Sequence, residues 1–266
     1  MFYLGPGGLP TITQGDTIQG LKDLSNLGLN AMEIEFVRSI YLKKDKAIEV
    51  GKVAKKLGIR LSVHASYFIN LCNPQKIKQS QQRILDSCKI GHYLGAKYIV
   101  FHPGYYGPLS TEKAYSLVKN SCEELRSKID KNRWHVILGL ETTGKKSQFG
   151  TLEENLRISK EVEGCVPVID FAHLFARNNR EINYSEILDK LKKFRELHTH
   201  FSGIEFTEKG ERRHLEISTK KPDFEKLAKE LVRRGFSNGK DITIISESPI
   251  LEKDSLKMKK ILERLI

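Results

Sequence analysis

The chain alternates short apolar runs, rich in β-branched residues, with longer segments in which apolar residues recur every three or four positions. The first pattern is typical of buried strands and the second of amphipathic helices. Residues 77–94 and 224–235 are two clear helical segments. Gly58, Gly95 and Gly235 mark predicted helix ends, because glycine readily adopts the left-handed backbone conformation that ends a helix. The predicted strands are residues 2–5, 31–36, 60–64, 98–102, 136–141, 166–170, 199–202 and 242–247.

The alternation of eight strands with helices predicts parallel β–α units. The chain has 266 residues, so eight units take about 33 residues each, which is close to the usual allotment of a (β/α)8 barrel. We therefore predict an α/β fold in which residues 1–266 form a single TIM-barrel domain. An open doubly wound sheet is the alternative, but the G-P-G-G that follows the first strand lacks the spacing of a dinucleotide-binding G-x-G-x-x-G.

Composition narrows the class of protein. Hydrophobic residues make up 39% of the chain and charged residues 29%, with no low-complexity tract, which excludes a disordered or fibrous chain. The apolar runs are shorter than the roughly 18–20 residues of a membrane helix, and the first residues lack the basic start and apolar stretch of a signal peptide. The sequence therefore predicts a cytoplasmic protein with no membrane partner, and it implies no protein partner.

Cysteine usage and net charge add two expectations. The four cysteines are scattered without a C-x-x-C pair, so we expect buried free thiols rather than disulfides or a zinc knuckle. Lys and Arg number 45 against 33 Asp and Glu, a formal net charge of +12. Such an excess favours a polyanionic partner such as nucleic acid, because phosphate contacts release counterions. A solvated basic surface explains the same charge, so this signal is weak alone.

Residue types that bind metal ions recur at the carboxyl ends of the predicted strands. In a TIM barrel these ends meet at one rim, where active sites form. Imidazoles and carboxylates without cysteine suit zinc, or manganese or iron in its place. Their number exceeds what one ion needs, so we expect a cluster of two or three ions. The candidates at strand ends are His64, His102, Glu141, Asp170, His200 and Glu247, and His173 and His214 lie in the adjoining segments.

Two further features lie on the same rim. The segment of residues 203–222 exceeds the usual two to six residues of such a connection and carries Glu211, Arg212, Arg213 and His214. The other rim segments place exposed aromatic residues beside basic ones. Aromatic wedges among cations fit a surface that grips or unstacks a nucleic-acid chain, although the rings would also serve simply to roof the barrel. These rim residues include Arg38, Tyr67 and Phe68.

Six motifs occur in order along the chain: H-A-S-Y-F-I-N-L from His64, F-H-P-G around His102, L-E-T-T around Glu141, D-F-A-H from Asp170 to His173, H-F-S-G from His200, and S-E-S-P around Glu247. Together they resemble the endonuclease IV family of apurinic/apyrimidinic DNA-repair enzymes. The resemblance runs from about residue 30 to the final strand, and the first two motifs are the most specific. The chain is identified as a divergent, archaeal-type member, which implies a (β/α)8 barrel with a trinuclear zinc site.

The resemblance implies a role for each candidate. Glu141 would be the catalytic carboxylate that bridges two ions; His64 and His102 would complete the first site, and Asp170, His200 and Glu247 the second. The third ion would use His173 together with a D-x-H pair. This chain departs from the family there, because it reads G-E-R-R-H. Alignment on His214 puts Arg212 where the aspartate is expected, and Glu211 takes that place only after a shift of one residue.

The resemblance also implies the partner and the reaction. Tyr67 matches the family residue that enters DNA near the lesion, with Arg38 as its partner, and Phe68, Arg212 and Arg213 are further candidates for DNA contact. The implied reaction is zinc-dependent incision of double-stranded DNA on the 5′ side of an abasic site, which leaves a 3′-hydroxyl and a 5′-deoxyribose phosphate. Two alternatives remain open: a metal-dependent sugar isomerase or epimerase on a related barrel, and a nucleic-acid-binding protein with a degenerate metal site.

Overall fold

The computed structural model describes residues 1–236 and 239–266. The strands of these residues, in chain order, are β1 (Phe2–Pro6), β2 (Ala31–Glu35), β3 (Arg60–His64), β4 (Tyr98–Phe101), β5 (Gly104–Tyr105), β6 (Ile137–Glu141), β7 (Gln148–Phe149), β8 (Cys165–Asp170), β9 (Glu196–Phe201), β10 (Gly203–Thr207), β11 (Gly210–Leu215) and β12 (Asp241–Ser246). The helices are α1 (Thr17–Asn26), α2 (Lys44–Leu57), α3 (Ile77–Leu94), α4 (Thr111–Lys131), α5 (Leu152–Glu161), α6 (Phe171–Arg177), α7 (Tyr184–Leu191), α8 (Phe224–Arg233) and α9 (Glu252–Glu263).

Eight of the strands form one parallel sheet that curves into a barrel. Their order is β1-β12-β9-β8-β6-β4-β3-β2, and each neighbouring pair is parallel. The seam between β1 and β2 is closed by a parallel bridge from Gly7 to Glu33. Gly5 makes this approach possible, because a Cβ at that position would lie 1.6 Å from the carbonyl oxygen of Ala31. The predicted single TIM-barrel domain is confirmed.

The predicted element bounds agree closely with the structure. Strand β3 and helix α3 have the predicted ends, and most other strands differ by one residue. Strand β9 is the exception, since it begins three residues before the predicted start. Helix α6 was not predicted; it follows β8 directly, and Asp170 caps it by accepting a hydrogen bond from the amide of His173 at 2.7 Å. The cap fixes two of the candidate site residues relative to each other.

The core lies between the barrel and its surrounding helices, in one large cluster of buried apolar side chains. All four cysteines are buried and free, as the sequence predicted. Among the described residues, no helix has the length and apolar character needed to cross a membrane. The long segment after β9 is not an irregular loop: β10 and β11 pair as an antiparallel hairpin, which packs on α6 at the mouth of the barrel.

Candidate metal centre

Glu141, at the end of β6, is fully buried and has a histidine pair at each of its carboxylate oxygens. Its Oε2 lies 3.0 Å from Nε2 of His64 and 2.9 Å from Nε2 of His102. Its Oε1 lies 3.2 Å from Nδ1 of His173 and 3.3 Å from Nδ1 of His200. The structure therefore brings four candidate imidazoles, from four different parts of the chain, around one carboxylate.

Three further candidates extend this cluster. Glu247 follows β12, and its Oε1 lies 3.1 Å from Nδ1 of His200. Its Oε2 lies 3.6 Å from Nε2 of His214 on the hairpin. Donor atoms gather within 4.8 Å of one another in three groups at this mouth: His64, His102 and Glu141; Glu141, Asp170, His200 and Glu247; Asp170, His173, His214 and Glu247. These are the groups that the barrel geometry would offer to metal ions.

Backbone contacts set the orientation of two imidazoles. Nδ1 of His64 donates to the carbonyl of Ala65 at 2.8 Å, and Nδ1 of His173 donates to the carbonyl of Thr142 at 2.9 Å. A carbonyl can only accept, so Nδ1 carries the proton in both rings and the lone pair of a neutral ring resides on Nε2. Metal-binding histidines commonly show this arrangement, in which one nitrogen is held by a hydrogen bond and the other faces the ion.

A β-bulge in the hairpin decides which residue faces the cluster. Glu205 pairs with Arg213 and Phe206 with Glu211, so Arg212 is the extra residue between the two pairs. Without the bulge, alternation along the strand would place Arg212 on the side of His214; with it, Glu211 takes that side.

The side chains follow this register. Oε2 of Glu211 lies 3.4 Å from Nε2 of His173, whereas Arg212 and Arg213 pair with Glu205 at 2.7 and 2.5 Å. His214 completes the same side, where its Nδ1 lies 2.6 Å from the hydroxyl of Ser202. Glu211 rather than Arg212 therefore faces the imidazole of His173, as a shift of one residue along G-E-R-R-H would place it.

The carboxylates and imidazoles of the cluster shift one another's pKa values, because they are packed together out of contact with water. Burial raises the pKa of Glu141, but His102 and His200 outweigh it and hold the pKa well below its usual range. Burial lowers the pKa of His64, but the hydrogen bond to Glu141 and the charge of Glu35 raise it to about 10. Burial raises the pKa of Asp170 to about 8. Without a bound cation, protons carry the positive charge that balances these carboxylates.

Two buried atoms in the cluster test whether its side chains fit a metal ion. Oδ2 of Asp170 and Nε2 of His173 have no hydrogen-bond partner among the described residues, although both side chains are almost fully buried. A buried polar atom left unpaired costs about 1–3 kcal/mol. Divalent cations bound in this cluster would satisfy both atoms, and their chemistry, one carboxylate oxygen and one imidazole nitrogen, suits such ions. The residues therefore fit a metal centre.

The cluster opens into a cavity of about 350 Å³ whose walls include Tyr67, Tyr105, Lys145 and the two hairpin arginines. Tyr67 is 57% exposed, yet its ring centroid lies 5.3 Å from that of His64. Phe68, beside it, is 62% exposed. Arg38 is exposed on the neighbouring segment, where the carbonyl of Val37 accepts from the amide of Tyr67 at 3.1 Å. Tyr67 therefore lies at the mouth with Phe68 beside it, and Arg38 lies on the segment that adjoins them.

The sequence analysis missed two acidic side chains next to the cluster. Glu33 and Glu35 point into the barrel from β2, and Glu33 contacts both His198 and His200 at 3.0 Å. Burial raises the pKa of Glu35 to about 8. The signal was present in the sequence, because two acids spaced two residues apart in an apolar strand face the same side.

Comparison with known proteins places the fold in a family. Residues 21–264 match the family described as xylose isomerase-like TIM barrel. An uncharacterised protein of Methanocaldococcus jannaschii, MJ0133, is 35% identical over 98% of this chain and 96% of its own length. The probable endonuclease 4 of Mycoplasma mobile is 28% identical over 71% of this chain and 69% of its own length.

Two solved structures share the architecture. Endonuclease IV from Thermus thermophilus superimposes with a TM-score of 0.73 at 16% identity, covering 98% of each chain. A D-tagatose 3-epimerase-like protein superimposes with a TM-score of 0.72 at 19% identity, covering 98% of this chain and 96% of its own. At these identities the likeness shows the fold alone. The chain belongs to the xylose isomerase-like TIM barrel family and is similar to its endonuclease IV members.

Proposed function

We propose that this protein is a metal-dependent phosphodiesterase of DNA repair that cleaves the bond on the 5′ side of abasic sites, leaving a 3′-hydroxyl and a 5′-deoxyribose phosphate. The observation that carries the proposal is the environment of Glu141. One of its oxygens faces His64 and His102, and the other faces His173 and His200. A carboxylate with imidazoles at both oxygens is suited to bridge two ions, and paired ions are the usual device for phosphodiester hydrolysis.

The ligand sets follow from the three groups of donors. His64, His102 and Glu141 would hold one ion, and Glu141, Asp170, His200 and Glu247 a second. The ions would be zinc, or manganese or iron in its place. They would activate a water at neutral pH and neutralise charge on the phosphate. Glu141 would keep the two sites in register, because it belongs to both groups of donors.

A third ion would be held on the hairpin side. His173, His214 and Glu211 lie there, with Oε2 of Glu211 3.4 Å from Nε2 of His173. The β-bulge at Arg212 supports this assignment, because it turns a carboxylate rather than a guanidinium toward the two imidazoles. Glu211 would then replace the aspartate of the family pattern, and Arg212 would be available to DNA.

The rim residues suit a DNA backbone. Tyr67 and Phe68 present exposed rings beside the cluster, which is the arrangement that stacks on or wedges between bases. Arg38, Arg212 and Arg213 add positive charge around the same mouth, and the chain carries a net charge of +12. A duplex that meets this face would bring a phosphate to the cluster while the rings occupy the gap left by a missing base.

The proposal is tested by incubating the protein with an end-labelled duplex that holds a single abasic site, and with the same duplex undamaged. We expect one cut on the 5′ side of the lesion, loss of cutting after the metal is removed with a chelator, and recovery after zinc or manganese is restored. Cleavage on the 3′ side by β-elimination, or no cleavage by the metal-loaded protein, would contradict it.

A sugar isomerase or epimerase is the second candidate. The group of Glu141, Asp170, His200 and Glu247 would hold one ion by itself, and one ion serves chemistry on a small polyhydroxy substrate. The other four histidines of the cluster, which such an enzyme would leave without a role, favour the phosphodiesterase: they are His64, His102, His173 and His214. Metal-dependent conversion of a ketose, with no cleavage of the abasic duplex, would decide for the second candidate.

A further inference from the structure

Glu33 lies one layer beneath the metal centre, fully buried in β2. Its carboxylate is contacted from two other strands of the barrel. On one oxygen, Oε2, it accepts from the hydroxyl of Ser62 at 2.6 Å and lies 3.0 Å from Nε2 of His198. Its other oxygen, Oε1, lies 3.0 Å from Nε2 of His200. Burial of a carboxylate costs a large desolvation free energy, which contacts such as these must offset.

The contacts are arranged asymmetrically. Oε2 is occupied by Ser62 and His198, which leaves Oε1 to His200. Oε1 of Glu33 and Nε2 of His200 lie 3.0 Å apart, and neither atom makes a hydrogen bond to any described residue. His200 therefore has one nitrogen directed at Glu33 and the other, Nδ1, directed at the centre, 3.3 Å from Glu141 and 3.1 Å from Glu247.

The charge of Glu33 fits this arrangement. Oε2 of Glu33 accepts from the hydroxyl of Ser62, and a carboxylate can only accept hydrogen bonds, so its other oxygen favours a proton on the Nε2 of His200 that faces it.

We infer that Glu33 is a positioning residue for the metal centre: it fixes His200 as the tautomer protonated on Nε2 and holds the ring so that the lone pair of Nδ1 points at the ion shared with Glu141, Asp170 and Glu247. The inference rests on the proposed metal centre. A carboxylate that accepts from the far nitrogen of a metal-bound histidine orients the ring and raises its basicity. Ser62 and His198 hold Glu33 in turn, and all three side chains are buried.

Substitution of Glu33 tests the inference through metal affinity. In Glu33→Gln the volume is kept but the charge is lost, and an amide nitrogen placed opposite Nε2 would favour the wrong tautomer. We expect zinc affinity, measured by competition with a chromophoric chelator, to fall about 10–100-fold. The matched control is Glu252→Gln, since Glu252 is also a buried carboxylate but accepts only from Thr11 among the described residues. The control should bind zinc as the wild type does.

A measurement on the wild type covers the case in which Glu33→Gln fails to fold. Nitrogen-15 histidine spectra of the zinc-loaded protein, assigned with a His200→Gln variant, should show the proton of His200 on Nε2. The proton on Nδ1, or a folded Glu33→Gln with the affinity of the wild type, would overturn the inference. Both readouts are independent of DNA cleavage, so a wild type that binds zinc but leaves abasic DNA intact would contradict the proposed function and not the role of Glu33.

Discussion

Oε2 of Glu211 lies 3.4 Å from Nε2 of His173, although regular strand alternation would turn Arg212 rather than Glu211 toward that ring. The β-bulge at Arg212 produces this relationship, and we predict that Glu211 has the role of a ligand. Glu211→Gln should lower the number of tightly bound ions by one per chain, because an amide oxygen is a much weaker ligand than a carboxylate. Arg212→Gln is the matched control, one residue away on the same strand. Elemental analysis of both variants checks the prediction, and equal ion counts would contradict it.

Glu141→Gln should abolish incision while leaving DNA binding largely intact. The substitution removes the negative charge between the two histidine pairs, so the ions lose the carboxylate that they share. We expect the incision rate to fall by more than about 100-fold, since even outer partners of metal ligands cost 10–100-fold. Single-turnover incision and gel-shift affinity for an abasic duplex are the measurements. Turnover at the wild-type rate would reject the role assigned to Glu141.

Removal of the ring of Tyr67 should weaken binding of abasic DNA without changing metal content. Stacking of a base on an aromatic ring is worth about 1–3 kcal/mol, so Tyr67→Ala should lose about 5- to 150-fold in affinity. Tyr93→Ala is a suitable control, because Tyr93 lines a cavity at the other end of the barrel, with residues that precede the strands. Fluorescence anisotropy with abasic and intact duplexes gives both affinities. A loss of equal size in the control would show that the effect is not local.

Zinc affinity should rise with pH. In the metal-free protein the pKa of His64 is about 10 and that of Asp170 about 8, so both groups hold a proton at pH 7. An ion must displace these protons, and the apparent affinity should increase about tenfold per pH unit for each proton released. Chelator competition between pH 6 and 7.5, corrected for the chelator's own protonation, measures the slope. An affinity independent of pH would show that the ion binds elsewhere.

The barrel could be predicted from the sequence because its strands and helices can be recognised from local patterns. Strand β3 and helix α3 have apolar patterns with clear ends, and the structure reproduces both. The predicted start of strand β9 is three residues too late, because the first half of the strand, Glu196 to His198, contains polar residues and does not have the pattern of a hydrophobic strand. Those side chains face an interior that contains ionic partners as well as apolar ones.

The sequence predicts only those site residues that lie at strand ends, because the end of a strand shows where a residue lies in the barrel. Residues such as Glu141 and His200 end or nearly end a strand, so the barrel geometry alone brings them to one mouth. Glu33 lies in the middle of β2, and its importance depends on the contact with His200, which is far away along the chain. The bulge at Arg212 is likewise a property of paired backbones, which the spacing of G-E-R-R-H does not reveal.

The metal content of the purified protein tests the central claim most directly, namely that the side chains around Glu141 form a multinuclear centre. Protein prepared without chelator and exchanged into metal-free buffer should retain two or three divalent ions per chain, counted as zinc, manganese and iron together by elemental analysis. A chain that retains no ion, and gains none on dialysis against zinc, would contradict the account.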